Sequence, residues 1–255
     1  MKIQFASDLH LEFAENKTFI AKNPLEPAGD ILILAGDIIP LRDIDHYKSF
    51  FDLLSDSYSH VYWVPGNHEY YGFDIANKRG SFHEKIQANI SLLNNEVVLL
   101  NGTRFCFTTL WSNVSKENAF YIERGLSDFH QIRLEGKRLT IELYNQMHAD
   151  AVSFLEAAFN CSLLSNQKSI VVSHHVPTFQ HYPSKYRGSV LNEAFATDMD
   201  RLIESSGAEY WIYGHNHALT PEFKIGKTKL VTNQLGYVLQ NEHRKFNQAK
   251  LLHFG

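Results

Sequence analysis

Nine residues capable of metal binding or proton transfer share one kind of position in the chain. Asp8 and His10, Asp37, Asn67 and His68, His174 and His175, and His215 and His217 each close or follow a short apolar run. The runs are KIQFASD (2–8), DILILAGD (30–37), HVYWVPGNH (60–68), SIVVSHH (169–175) and YWIYGHNH (210–217). Singly, each residue has an ordinary explanation. An Asp after a strand forms a turn or caps a helix, and GNHE reads equally as a turn with Asn67 capping the next helix. A strand-end His is commonly a hydrogen-bonded structural residue. Jointly they require more. Carboxylates packed among neutral imidazoles are costly without a counter-charge, and a pair of divalent cations supplies one. Oxygen and imidazole donors without thiolate suit Mn²⁺, Fe or Zn²⁺. Alternation along an extended segment puts Asp8 with His10, and His215 with His217, on one side. Gly36, Gly66 and Gly214 each precede a donor and let backbone crowd around an ion. The contiguous HNH (215–217) does not fit the nuclease motif of that name, which spreads its residues over a hairpin and a helix.

The elements that must position these residues can be read from the runs. Their length and their β-branched and aromatic content predict buried strands. Helical patterns lie between them at roughly 44–57, 72–90, 139–160 and 192–206. In 139–160, Leu143, Met147, Ala151, Phe154, Leu155 and Ala158 recur at three- and four-residue steps and mark one buried face. Residues 97–111 read as two strands around Asn101-Gly102, and 223–237 as a hairpin-like pair turning at 225–227. Early alternation of strands and helices with later hairpins predicts an α/β sheet protein with some antiparallel pairing. No Pro-, Gly- or Ser-rich linker divides the chain, so a single domain over 1–255 is expected. In open α/β sheets ligands bind beyond the carboxyl ends of strands, where these donors sit.

Composition narrows the classes. The 255 residues are 44% hydrophobic and 20% charged, which predicts a packed core. The net charge is −4 and no Lys/Arg block occurs, so nucleic acid is disfavoured as a partner. Two cysteines, Cys106 and Cys161, are too few for a disulfide framework or a thiolate zinc site. The opening MKIQFASDLH has no long apolar segment of the secretory kind, and no stretch approaches membrane-spanning length. A soluble cytoplasmic protein is expected, and no protein partner can be inferred.

The order D-x-H, GD, GNH, an H ahead of a proline, then GH-x-H, spanning residue 3 to about 217, resembles the calcineurin-like metallophosphoesterase superfamily. WS after TTL (108–112), SDFHQIR (127–133) and NQLGY (233–237) resemble a bacterial subgroup whose substrates are mostly unassigned, although that subgroup commonly has Asn-Pro where this chain has Asn233-Gln234. The resemblance implies two packed mixed sheets flanked by helices, a four-layer α/β/β/α sandwich. It implies a dinuclear centre, Mn²⁺ first and Fe or Zn²⁺ after it, that activates water to hydrolyse a small phosphomonoester or phosphodiester. By motif position, Asp8, His10 and His217 would hold one metal, Asn67, His174 and His215 the second, and Asp37 would bridge them. His68 would be catalytic, protonating the leaving oxygen or stabilising charge beside the phosphate, with Asn67 also near it. His174 is favoured as the ligand of the histidine pair, with His175 as a pocket-wall or supporting residue.

The substrate is less legible. In the loop 181–195, Tyr182, Lys185, Tyr186 and Arg187 could contact a phosphate or base, and Arg187 is the first choice because its fork can grip phosphate oxygens. Alternatively the loop is only a solvated, charged one. Residues 111–130 read as an excursion over the site, in which Trp111, Tyr121 and Phe129 either line a lid or pack it. His46, His60, His83, His130, His148, His181 and His243 carry no motif and read as surface or structural. Two other functions compete: a nuclease using the same centre, and a metal-bearing binding protein without turnover.

Overall fold

The computed structural model describes residues 1–161 and 167–253. Two sheets carry the architecture. The first has the order β1 (Ile3–Ala6), β2 (Ile31–Ala35), β3 (His60–Val64), β5 (Ile90–Asn94), β4 (Phe82–Gln87). The second has the order β12 (Phe223–Ile225), β13 (Thr228–Thr232), β11 (Tyr210–Tyr213), β10 (Lys168–Ser173), β7 (Thr103–Thr108), β6 (Glu96–Leu100). In each sheet four strands run parallel and the antiparallel ones lie at the edges. A short antiparallel ribbon pairs β8 (Arg133–Leu134) with β9 (Lys137–Arg138).

Strand alternation builds the layers. Ile31, Ile33 and Ala35 face the second sheet and join Phe105, Phe107, Ile170, Val172 and Ile212 in the inter-sheet core. Leu32 and Leu34 face outward and pack with Phe51 and Leu54 of α2 (Lys48–Ser57). On the opposite outer face Val171, Trp211 and Leu230 pack against Ala151 and Leu155 of α5 (Ile141–Asn160) and Ile203 of α6 (Asp200–Ser205). Strands buried on both faces are apolar at every position, which is why the runs are continuous rather than alternating. The result is the expected helix–sheet–sheet–helix layering. The sheets are also stitched together at the open side of β1, where Ser7 donates its backbone N–H to Asn233 and accepts from Leu235.

The α5 helix, the β6–β7 pair with its Asn101-Gly102 turn and the β12–β13 pair turning at Gly226 match expectation. The helix expected over 72–90 does not form. A short 3₁₀ turn (Ile75–Asn77) gives way to β4, antiparallel to β5. The Glu, Lys and Gln content of 84–87 favours helix, but pairing with the wholly buried β5 outweighs that weak preference. The pattern at 192–206 divides into a 3₁₀ turn (Val190–Ala194) and α6. Helix α1 (Ala14–Lys22) has no clear sequence signal, because its mostly polar sequence shows little apolar periodicity and buries only Asn16 and Ile20. The 111–130 excursion contains α3 (Lys116–Gly125) and the start of α4 (Asp128–Gln131); Trp111 and Phe129 are buried, whereas Tyr121 is exposed.

Candidate metal centre

The carboxyl ends of β1, β2 and β3, neighbours in one sheet, meet those of β10 and β11, neighbours in the other. The chain turns sharply near several of these strand ends. Asp8, His10, Asp37, His215 and His217 all have φ between 47° and 78°, the left-handed region that Asp and His tolerate better than bulky or branched residues. At Gly66 a Cβ would lie 2.3 Å from Asp37 Oδ1 and 2.6 Å from the His174 ring, so the close approach admits no side chain.

The sequence-derived donors converge as two groups sharing Asp37. In the first, His217 Nε2 lies 2.9 Å from His10 Nε2 and 3.4 Å from Asp8 Oδ1, and His10 Nε2 lies 3.7 Å from Asp37 Oδ2. In the second, His174 Nε2 lies 3.1 Å from His215 Nδ1, 3.2 Å from Asn67 Oδ1 and 3.3 Å from the same Asp37 oxygen. These side chains are buried or nearly so. Bonds of about 2.1 Å, set at angles between a right angle and the tetrahedral one, leave donors about 3.0–3.4 Å apart, so the spacing fits first-row divalent ions.

The other ring nitrogens support the same fit. His10 Nδ1 faces Glu12 (3.2 Å), His217 Nδ1 faces Glu242 (2.8 Å), His174 Nδ1 faces the Ala35 carbonyl (2.9 Å) and His215 Nε2 faces the Ala194 carbonyl (3.4 Å). These acceptors take an N–H from each imidazole, so that the convergent nitrogen offers a lone pair wherever it carries no proton of its own, the arrangement common behind metal-bound histidines. Burial opposes charge on every ring. Even so, Asp37 holds His174 up to about 9, and hydrogen bonds to Asp8 and Glu242 hold His217 up to about 9. His10 is pushed down by burial and by the nearby His68, and His215 well down by burial and its histidine neighbours. Each group therefore pairs one imidazolium with one neutral imidazole. A proton then lies where a cation would neutralise the same carboxylates, and the two must compete.

His68 lies beside both groups. Its ring nitrogen Nδ1 is 2.8 Å from Glu12 Oε1, its backbone N–H donates to Asp37 Oδ1 at 2.9 Å, and the Tyr71 ring lies over its own at 4.2 Å. Burial disfavours its charge, but Asp37 and Glu12 outweigh that and raise its pKa. His175 is wholly buried behind His215, with ring centroids 4.1 Å apart, and is tied to the Thr109 carbonyl and the Tyr144 hydroxyl. Arg187 is exposed and is not among the residues lining the cavity over the centre; its neighbour Tyr186 is.

Four carboxylates at the site escape the sequence reading. Glu69 accepts backbone N–H groups from Asp37, Ile38 and Gly66 and the indole N–H of Trp63, tying the ends of β2 and β3 together. Burial and the adjacent Asp37 push it up to about 8 against those donors. Asp128 accepts from Asn67 Nδ2 (2.8 Å) and Tyr71 (2.7 Å), which turns Asn67 Oδ1 toward His174. Glu12 continues the alternation of Asp8 and His10 in DLHLE, a readable signal. Asp128 lies in SDFHQIR and Glu69 in GNHE, but nothing local marks Glu242.

The cavity holds about 520 Å³. Among its described lining residues the acidic ones are Glu12, Asp37, Asp128 and Glu242, the aromatic ones Phe13, Tyr71, Tyr186, Phe195 and Tyr237, and the one Lys or Arg is Arg42. No helix among the described residues is long and apolar enough to cross a membrane.

Several known proteins resemble this chain. A protein of Acanthamoeba polyphaga mimivirus, itself uncharacterized, is 30% identical over 272 residues, covering 96% of this chain and 94% of its own. Phosphopantetheinyl hydrolase from Mycobacterium tuberculosis superposes with a TM-score of 0.71 over 98% of this chain and 94% of its own; at 19% identity it shares the fold. A dimetal phosphatase from Danio rerio matches at a TM-score of 0.47 and 12% identity, over 92% of this chain and 87% of its own. The family model for calcineurin-like phosphoesterases matches residues 1–219, which takes in all five donor-bearing strand ends, and the chain belongs to that family.

Proposed function

We propose that the protein hydrolyses phosphoesters at a dinuclear metal centre. Asp8, His10 and His217 would hold one ion and Asn67, His174 and His215 the other, with Asp37 within reach of both groups. Bound there, the ions supply Lewis acidity toward the phosphate and lower the pKa of an attacking water.

The chain's own residues do the rest. Glu12 holds His68 by Nδ1, leaving Nε2 to donate a proton to the leaving oxygen. Asp128 and Tyr71 fix the Asn67 carboxamide, so its oxygen is presented without a reorganisation cost. The sheet ends position these groups, and the hydrogen bonds behind them limit their motion.

The observation that carries this proposal is the facing of paired imidazoles whose outer N–H groups are already committed. The test uses protein stripped with chelator and restored with Mn²⁺, Fe²⁺ or Zn²⁺, assayed on p-nitrophenyl phosphate and bis-p-nitrophenyl phosphate. Hydrolysis of at least one, lost on stripping and regained on restoration, is expected. Metal-saturated protein inert toward both, and toward a broad phosphoester panel, would contradict the proposal and favour a metal-bearing binding protein.

A further inference from the structure

Beside the cavity over the centre lies a hollow of about 200 Å³ lined by Phe13, Glu15, Asn16, Tyr237, Leu239 and Gln240. Phe13, Tyr237 and Gln240 line both spaces, so the hollow adjoins the cavity. Its apolar walls are uncovered: Leu239 is 75% exposed and Phe13 40%. The Phe13 and Tyr237 rings meet edge to face at 5.3 Å. Asn16, the buried amide beneath them, is fully committed, donating to the Leu9 and Gly236 carbonyls and accepting from the Val238 N–H. Apart from Glu15 and Gln240, the surface therefore presents hydrocarbon.

The position of this shelf matters as much as its character. The Phe13 ring lies 6.2 Å from His68 and 5.9 Å from His10, and the Tyr237 ring 4.4 Å from His217. The shelf begins beside the residue placed to protonate the leaving oxygen. A group attached to that oxygen has this shelf within reach. Glu12 and Glu242 line the cavity and Glu15 the hollow, with the Lys185 ammonium 3.9 Å from Glu242, so a second anionic group there would meet mainly carboxylates.

We propose that the Phe13–Tyr237–Leu239 shelf receives the alcohol portion of the substrate, and that this alcohol is uncharged and apolar. The substrates are then phosphoesters of apolar or aromatic alcohols, not polyphosphates or phosphorylated acids. This rests on the centre being a phosphoesterase, and the test separates the two claims.

Metal-loaded protein is titrated calorimetrically with four non-hydrolysable ligands: phenylpropyl-, hydroxypropyl-, aminopropyl- and carboxypropylphosphonate. They share a phosphonate for the ions and differ only in the tail. The phenyl tail is expected to bind about tenfold tighter than the hydroxyl tail, from burial of apolar area, with the carboxylate tail weakest. Leu239→Ser and Phe13→Ala should each shrink the phenyl preference to roughly threefold or less. Equal or tighter binding of any polar or charged tail, or a preference unmoved in both variants, would overturn the proposal. So would sedimentation showing self-association that Leu239→Ser abolishes while the affinities stay put, because the shelf would then cover a second copy of the chain. Phosphoester turnover with a flat affinity series counts against the shelf alone. A graded series in a protein that hydrolyses no ester supports the shelf as a binding surface and counts against the phosphoesterase reading.

Discussion

The floor and the rim of the cavity are built by opposite means. The floor is made of strand ends. Asp8, His10, Asp37, Asn67, His174 and His215 are less than a tenth exposed, and the rings among them are held by a second contact at the far nitrogen. The rim is made of turns and loops, where Phe13 and Leu239 stand open to solvent and Tyr186 rides on a short 3₁₀ turn. Two sheets locked face to face fix the spacing of the floor's donors. The rim can change side chains without disturbing that register. On the proposed function the difference would separate two tasks: the sheets would specify the reaction, and the loops which ester reaches it.

Substitutions should grade accordingly. The largest effect is expected at the shared carboxylate: Asp37→Asn should lower turnover on the order of 10³-fold or more and reduce the metal content per chain, as elemental analysis would show. His68→Ala should cost about 10²–10⁴-fold in turnover while keeping its metal, which distinguishes a proton donor from a ligand. The floor should also link ions to protons. His174 and His217, held up to about 9, are protonated at neutral pH and must release their protons to a cation. Apparent affinity for each ion should therefore rise with pH between about 6.5 and 8, by up to about tenfold per unit for the one proton each group releases, and level off as pH passes their values. Calorimetry in buffers of different ionisation enthalpy counts the protons, and zero release would contradict the arrangement. Glu242→Gln weakens the group behind His217 and should reduce affinity at the first position about 10–100-fold, with turnover recovering at saturating metal. At the rim, Leu239→Ser should shift preference among leaving groups only roughly threefold. A rim variant matching Asp37→Asn would erase the division between the two regions.

The same division governs what can be read from the sequence. Floor residues sit at the ends of continuous apolar runs, and a buried strand ending in Asp or His is unusual enough that five together point to one centre. The layers are legible in the same runs. Glu12 is one alternation step beyond His10 and lies within reach of sequence reasoning; Glu242 does not, because it meets His217 from a 3₁₀ turn 25 residues away. Asp128 lies in a quoted motif, but its role depends on α4 folding over Asn67, a contact across 61 residues that the motif does not disclose. The 72–90 segment departs from its local preference because tertiary pairing with β5 decides it. Arg187 has the right chemistry for phosphate, but loop geometry sets which side chain of 181–195 faces the cavity, and it turns Tyr186 inward.

The most direct measurement is the position of ions in crystals of protein loaded with Mn²⁺, by anomalous scattering. Two peaks per chain are predicted, one among Asp8, His10 and His217 and one among Asn67, His174 and His215, with Asp37 reaching both. A single peak, or peaks away from these residues in fully loaded protein, would contradict the account.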